Sequence, residues 1–272
     1  MSDPYREIAA GFDHSANQYD LETMANPAMS YMRQVSLRAL LASFAPGQRV
    51  LELGCGTGEE AIALGRHGVR VLATDVSSRM LSIAAEKAEA AGLAQDVQTR
   101  LMAAGEIDVL VDEFGEGAFD GVYSSFGPLN GEPDLGRVSR SLTELTRPGS
   151  LLVASVMNQF YAFEVAWYLA HLRPQQATRR CRGKTMAKVS PDLPVSVPTW
   201  YYTPRTFARA FPSFRKTRCR ALTLLLPPPY ASHLWKRFPG MMRHLMPWED
   251  RLSTLWPLSA LGDHFLITME RR

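Results

Sequence analysis

The chain has 272 residues, 46% of them apolar, with 30 Lys and Arg against 27 Asp and Glu. Such a composition excludes a disordered polymer and a membrane bundle, and the length can bury one large core or two small ones. The net charge of +3 is a cancellation: residues 1–150 hold 12 basic and 21 acidic side chains, whereas residues 151–272 hold 18 and 6.

The N-terminal MSDPYREIAAGFD lacks the basic-then-apolar order of a secretory signal, and no run approaches the roughly 18 apolar residues of a spanning helix. A cytoplasmic protein without a transmembrane segment is expected. From residue 49, short β-branched and leucine-rich runs alternate with helix-length amphipathic stretches, the pattern of a parallel α/β sheet. It predicts strands at 49–55, 70–75, 97–102, 119–125 and 150–157, with helices near 59–67, 77–91, 107–114 and 134–146. After residue 157 the rhythm breaks. Residues 158–203 run aromatic, then basic, then proline-punctuated (SPDLPVSVPTWYY), before a short helix at TPRTFARAF with Thr203 as N-cap and Pro204 in its first turn. A sixth strand is predicted within FRKTRCRALTLLL, a second irregular segment over 227–262, and a last strand at DHFLITMER. Insertions this long are functional lids or packing adornments, and the lid reading is favoured.

The first predicted strand runs into Glu52-Leu53-Gly54-Cys55-Gly56-Thr57-Gly58, and a helix opens at Glu59. Alternate glycines let the backbone turn sharply and approach a ligand, beside the unpaired amides of a helix start. The third glycine of the dinucleotide fingerprint is replaced by Glu59, and Glu59 with Glu60 would repel a diphosphate there. Glu52 is placed to hold an ammonium group, and Asp75, ending the second strand, to accept ribose hydroxyls. The same glycines would also serve a bare strand-to-helix turn, and Asp75 a helix N-cap. Three cysteines (Cys55, Cys181, Cys219), with no CxxC or HExxH, point to no metal.

ELGCGTG after a strand, DVSSRML at the end of the second, AGEI after the third and FDGVYSSFGPLN around the fourth arrive in one order. This set resembles the class I S-adenosylmethionine-dependent methyltransferases, over residues 8–157. The resemblance implies a Rossmann-like, seven-stranded mixed sheet and S-adenosyl-L-methionine as cofactor. It divides the chain into a leader and donor-binding core (1–157) and the remainder of the same domain (158–272), with insertions at 158–203 and 227–262 capping the acceptor side. It assigns Glu52, Gly54, Gly56 and Gly58 to the methionine moiety and ribose, Asp75 to the ribose, and Val76 and Met80 to the flanks of adenine. Ala104 stands where the family often has an Asp or Asn, so adenine would be read by Gly105 or Glu106. FDHSANQYD (12–20) is similar to the leader of the branch acting on quinones and acyl chains, which implies that Tyr19 folds over the donor.

Methyl transfer from a sulfonium needs alignment and desolvation, and a base only when the acceptor must lose a proton. Ligands of open α/β sheets lie at the carboxyl ends of the strands. Ser124 is therefore expected at the donor, and Ser125, Phe126 and Asn130 at the acceptor. An antiparallel last strand would start at the same edge, bringing Asp263 and His264 there. His264 is the first candidate base; Tyr201 follows, with His171 and Tyr202 as acceptor contacts. A histidine opening a strand is also an ordinary hydrogen-bonded structural residue. His14 is a further pocket candidate, and His67 is expected on the surface.

Twelve basic residues and one acid, Asp192, lie between 171 and 220. A solvated basic face, attraction of an anionic acceptor, and contact with nucleic acid or an anionic membrane all explain them. Interleaved apolar stretches, LTLLLPPPY and PGMMRHLMPW, favour an oily or aromatic acceptor, carrier-bound or at a membrane surface, methylated at oxygen or carbon. The absence of an Asn-Pro-Pro-Tyr sequence disfavours DNA or protein-glutamine methylation. An RNA methyltransferase and a non-catalytic donor-binding regulator are the competing readings.

Overall fold

A computed structural model describes residues 3–188 and 196–272; residues 189–195 of the proline-punctuated stretch, Asp192 among them, lie outside it. Strands β1 (Arg49–Leu53), β2 (Arg70–Asp75), β3 (Val97–Leu101), β4 (Phe119–Ser124) and β5 (Thr146–Met157) alternate with helices α3 (Glu59–Arg66), α4 (Ser78–Ala90), α5 (Val109–Phe114) and α6 (Leu135–Leu145). Helices α1 (Asp3–Ala25) and α2 (Pro27–Ser43) precede them. Beyond β5 come α7 (Ala162–Ala170), α8 (Pro174–Ala177), β6 (Lys184–Lys188), β7 (Ser196–Trp200), α9 (Pro204–Ala210), β8 (Phe214–Leu222), α10 (Ser232–Arg237), α11 (Pro239–Leu252) and β9 (His264–Arg271).

Seven strands form one sheet in the order β3-β2-β1-β4-β5-β9-β8. The pairs from β3 to β5 are parallel, and β9 runs antiparallel between β5 and β8. The mixed sheet and antiparallel last strand follow the sequence expectation. Side-chain alternation loads both faces. Val50, Val71 and Val153 pack with Met32 and Val35 of α2 and with Phe44 just past its end on one side. Leu51, Leu53, Val122 and Ile267 pack with α5, α6 and Phe207 of α9 on the other.

Several expectations need correction. The leader is two helices, which the sequence pattern did not announce. Among the described residues both insertions carry regular elements: the first α7 and the antiparallel pair β6 with β7, the second α10 and α11. Strand β5 begins at Thr146, four residues earlier than expected, because Thr146 pairs with Phe119 across a register shift that absorbs the Pro148-Gly149 turn residues. The Thr203 cap holds, as a full capping box with Thr206.

The basic residues do not gather at one mouth. Arg215 pairs in register with Glu270, and Arg215, Lys216 and Arg218 are exposed on the edge strand β8. Charges there protect an open sheet edge from further pairing. Since Leu222 is opposite His264, Arg215 and Lys216 lie at the end of the sheet away from the carboxyl edge.

Candidate active site

The turn after β1 is fixed by close packing at two of its glycines and is open at the third. Gly54 has φ +76°, and a Cβ there would meet Pro128 at 2.3 Å; Gly58 has φ +81° and would meet Ala84 at 2.8 Å. Gly56, at φ +53°, has nothing within 4 Å of its absent Cβ. Below it lies a concentration of buried acid. Glu52, Glu60 and Asp75 are all buried. The Asp75 carboxylate accepts the amides of Gly56 at 2.8 Å and Ser77 at 2.9 Å. Burial pushes its carboxyl up, and these amides pull it back. Ser77, not Asp75, is the N-cap of α4.

Glu52 is opposite Tyr123 across β1 and β4. Burial, with the Glu60 charge behind it, holds the Glu52 carboxyl well above the usual range. Tyr123 stands close enough to favour the charged form, but the two side chains do not align as a hydrogen bond. Oε2 of Glu52 and the Tyr123 hydroxyl stay buried without a partner among the described residues. A bound ammonium group would satisfy that oxygen. The orphaned carboxylate and the open space at Gly56 fit the methionine end of S-adenosylmethionine.

Helix α1 roofs this loop. The Asp13 carboxylate accepts from the Ser77 hydroxyl at 2.6 Å and the Arg79 amide at 3.0 Å. Asp20 accepts from the Thr57 hydroxyl at 2.6 Å and from Lys87 at 2.6 Å. Between them sits Tyr19, whose hydroxyl is pushed up to about 12 by burial, with Arg33, Glu60, Asp75 and Asp20 around it. Arg33 of α2, overlooked in the sequence, lies 3.2 Å from Glu60 and 5.4 Å from the Phe126 ring centroid. Nothing in YMRQVSLRALL sets Arg33 apart from Arg38 five residues later.

On the adenine side Gly105 and Glu106 lie in a 3₁₀ turn, Ala104–Glu106. Glu132 packs against Gly105, where an added Cβ would meet its Oε1 at 2.9 Å, and it accepts the Tyr5 hydroxyl at 2.9 Å. Val76 is half-buried and Met80 fully buried at the start of α4.

The acceptor candidates separate into two groups. Ser125 and Phe126 follow β4; Phe126 holds φ 62° and its amide donates to the Ser155 hydroxyl at 2.8 Å. Ser124 donates to the Leu53 carbonyl at 2.8 Å, beside the glycine turn. Asn130 is occupied by backbone: it accepts the Met157 amide at 2.8 Å and donates to the Trp200 carbonyl at 2.5 Å. Tyr202 is half-buried, its hydroxyl pushed up to about 12 by burial. His171 is exposed at the end of α7, its ring tilted 33° against Trp167 and bonded to that residue's carbonyl at 2.8 Å. It forms an exposed helix terminus, not a pocket wall. His14 is exposed on α1 and His67 at the end of α3.

His264 opens β9 opposite Met157, the last residue of β5, and so stands at the carboxyl edge. Its Nδ1 lies 2.9 Å from Asp263 Oδ2. The other Asp263 oxygen accepts from Arg180 at 2.7 Å, and Arg180 also donates to Glu164 at 2.8 Å. Burial raises the Asp263 carboxyl, but Arg180 and His264 outweigh it and hold the group far below the usual range. The carboxylate is thus a permanent acceptor for Nδ1–H, which leaves Nε2 as the basic nitrogen. Nε2 has no partner among the described residues. The Arg180 guanidinium also lies 5.4 Å from the Tyr201 ring centroid, and the Tyr201 hydroxyl accepts from Thr185 at 3.4 Å. No group of three His, Cys, Asp or Glu among the described residues is arranged for a metal ion, and no helix there is long and apolar enough to cross a membrane.

The family model described as a methyltransferase domain matches residues 50–149. A demethylmenaquinone methyltransferase of Beutenbergia cavernae is 33% identical over 155 residues, 56% of this chain and 58% of that protein. One from Mycolicibacterium paratuberculosis is 33% identical over 181 residues, 63% of this chain and 70% of the relative. The chain thus spans a little under three-fifths of the length of the first of these relatives. Among solved structures, geranyl diphosphate C-methyltransferase from Streptomyces coelicolor superposes with a TM-score of 0.62 at 12% identity, covering 100% of this chain and 99% of that one. That likeness shows the fold, and the identity to the sequence relatives shows the lineage: the chain belongs to the class I S-adenosylmethionine-dependent methyltransferases.

Proposed function

We propose that this chain transfers a methyl group from S-adenosyl-L-methionine to the oxygen or carbon of a small, hydrophobic, lipid-like acceptor. The observation that carries the reading is the orphaned Glu52 carboxylate beneath the open space at Gly56. The relatives named for demethylmenaquinone and the structural neighbour named for geranyl diphosphate support a small lipid-like acceptor.

When bound, the donor supplies an electrophilic methyl on a sulfonium. Glu52 balances the donor's ammonium, and Asp75 is available to its ribose beside the amides of Gly56 and Ser77 that it accepts. Gly54, Gly56 and Gly58 give the close approach, Val76, Met80 and Glu106 border the adenine side, and Tyr19 closes over the donor from α1. Ser124 sets the floor near the sulfonium. Ser125, Phe126 and Tyr202 border the acceptor, with the two insertions, 158–203 and 227–262, as its cap. His264 Nε2 takes the acceptor's proton as the new bond forms, while Asp263 stabilises the imidazolium. Tyr201 packs against the Arg180 that holds Asp263 and is the alternative proton acceptor. The protein works in the cytoplasm, peripheral to the membrane that holds such an acceptor.

Incubation of a cell extract with isotopically labelled donor, followed by mass spectrometry, tests the reading. Label in a small lipid-soluble molecule is expected. Label only in RNA or protein, or in nothing, overturns it.

A further inference from the structure

The second insertion carries an exposed apolar shoulder for which the site has no use. Met241 and Trp248 of α11 are exposed seven residues apart, on one face of the helix. Leu255 and Trp256 continue the patch past its end, with Trp256 85% exposed and Trp248 56%. The inner face of α11 buries Met242 and Glu249. Solvent-facing tryptophans on a helix already anchored from its other side are poor core and costly surface.

The charges beside the patch are of one sign. Lys236, Arg237, Arg243 and Arg251 are exposed. The two acids of this stretch are engaged: Glu249 accepts the amides of Leu224 and Leu225 at 2.8 and 2.7 Å, and Asp250 pairs with Arg220 at 3.0 Å. The shoulder thus presents indole and aliphatic surface with Arg251, three residues on from Trp248, on the same side of α11, and with Lys236 and Arg237 closing the preceding helix. That pattern matches the boundary between anionic headgroups and acyl chains, where tryptophan rings settle and cations meet phosphates.

We propose that the α11 shoulder seats this protein on an anionic lipid bilayer. Its place in the fold gives the docking a purpose. Strand β8 ends and β9 begins at the carboxyl edge of the sheet, so the segment joining them hangs beside His264. Helix α7 extends the same rim: the Tyr230 hydroxyl donates to Glu164 at 3.2 Å, the Ala162 amide to the Leu261 carbonyl at 3.1 Å, and Trp167 is exposed. A bilayer under this rim would face the acceptor side, so the proposal rests on the lipid-like acceptor read above while concerning a separate surface.

Co-sedimentation with phosphatidylglycerol–phosphatidylcholine vesicles, alongside tryptophan quenching by brominated lipids, tests it. The wild-type chain binds anionic vesicles and is quenched, and pure phosphatidylcholine vesicles bind it far more weakly. Reversing Arg237, Arg243 and Arg251 to Glu weakens binding by about a hundredfold or more; Met241→Ser with Trp248→Ser and Trp256→Ser weakens it by roughly tenfold or more. Donor affinity and the thermal midpoint stay at wild-type values in both variants, which separates failure of docking from failure of the fold or the methyltransferase reading. Equal binding to neutral vesicles, indifference to both variants, or a solution dimer that buries Trp248 would overturn the proposal.

Discussion

The Asp20 carboxylate of α1 accepts the Thr57 hydroxyl of the glycine turn at 2.6 Å, and with Lys87 it latches the N-terminal helix over the donor loop. Asp13 forms a second latch on Ser77 and Arg79. On the proposed donor site, entry requires α1 to lift. Asp20→Ala removes one latch and leaves the other, so the chain should stay folded while donor dissociation quickens. Loss of a hydrogen bond to a charged group, about 1.5–3 kcal/mol, corresponds to a tenfold or greater rise in the donor's dissociation rate. Stopped-flow tryptophan fluorescence measures it; an unchanged dissociation rate would remove α1 from the donor's exit path.

Alanine substitutions in the glycine turn separate packing from ligand binding. Gly54→Ala places a methyl 2.3 Å from Pro128 in a left-handed backbone, and should destabilise the fold severely. Gly56→Ala meets no protein atom, so its cost is limited to the backbone conformation, about 1–2 kcal/mol. It should nonetheless abolish donor binding, because its methyl enters the space assigned to the donor. Urea unfolding and calorimetric titration of both variants decide the matter. Full donor affinity in Gly56→Ala sinks the assignment of that space.

The same turn shows how unevenly the sequence discloses the site. Strands β1 to β5 advertise themselves through Val and Leu runs, and ELGCGTG names its own chemistry. The roof does not. Helix α1 buries Tyr5, Ala9, Ser15 and Ala16, small or polar residues that make no leucine stripe, and it grips the core through Asp13 and Asp20. The hairpin is equally quiet: KTMAK pairs with SVPTW through backbone, Met186 opposite Pro198, with little β propensity in its first strand. Arg180 meets Asp263 across 83 residues, a contact no local pattern encodes. The halves of the charge balance were legible, but where they would fall was not, since Arg215 and Lys216 went to the far end of an edge strand.

The buried network behind His264 should be held together by Arg180. Arg180→Met leaves Asp263 and Glu164 as buried carboxylates, although Arg179 still reaches Glu164 at 2.9 Å. Removing one partner from a buried ion pair costs about 3–5 kcal/mol, readable as a lowered urea midpoint with unchanged slope. A loss under about 1 kcal/mol would mean that the network is solvated.

His264→Gln tests the proposed base while leaving the Arg180 bonds to Asp263 and Glu164 in place. Donor affinity should hold, while the transfer rate falls by about 10²–10⁴-fold. Asp263→Asn should lower the rate as well, because it cannot stabilise the imidazolium, and it carries the additional stability loss of an unbalanced Arg180. Single-turnover label transfer measures both. A wild-type rate in His264→Gln leaves the histidine a structural residue and moves the proton to Tyr201 or to solvent.

Glu52 should make donor binding a proton-releasing event. Its folded-state pKa lies above the unfolded value because burial disfavours the carboxylate. Such a group binds its proton more tightly in the native state, so its contribution to the ligand-free fold is full below the unfolded pKa and is lost as pH rises through the folded one. An ammonium placed against it favours the charged form and expels the proton. Donor binding therefore tightens as pH rises from the carboxylate range toward neutrality, opposite to the trend in ligand-free stability. Titration calorimetry in two buffers of different ionisation enthalpy reads the released proton directly. Glu52→Gln should show a smaller buffer dependence, weakened donor binding and a ligand-free stability that declines less steeply over that range, since Asp75 and Glu60 are held up by burial as well. Heats independent of buffer in the wild-type chain at mildly acidic pH would mean that Glu52 is already ionised before the donor arrives.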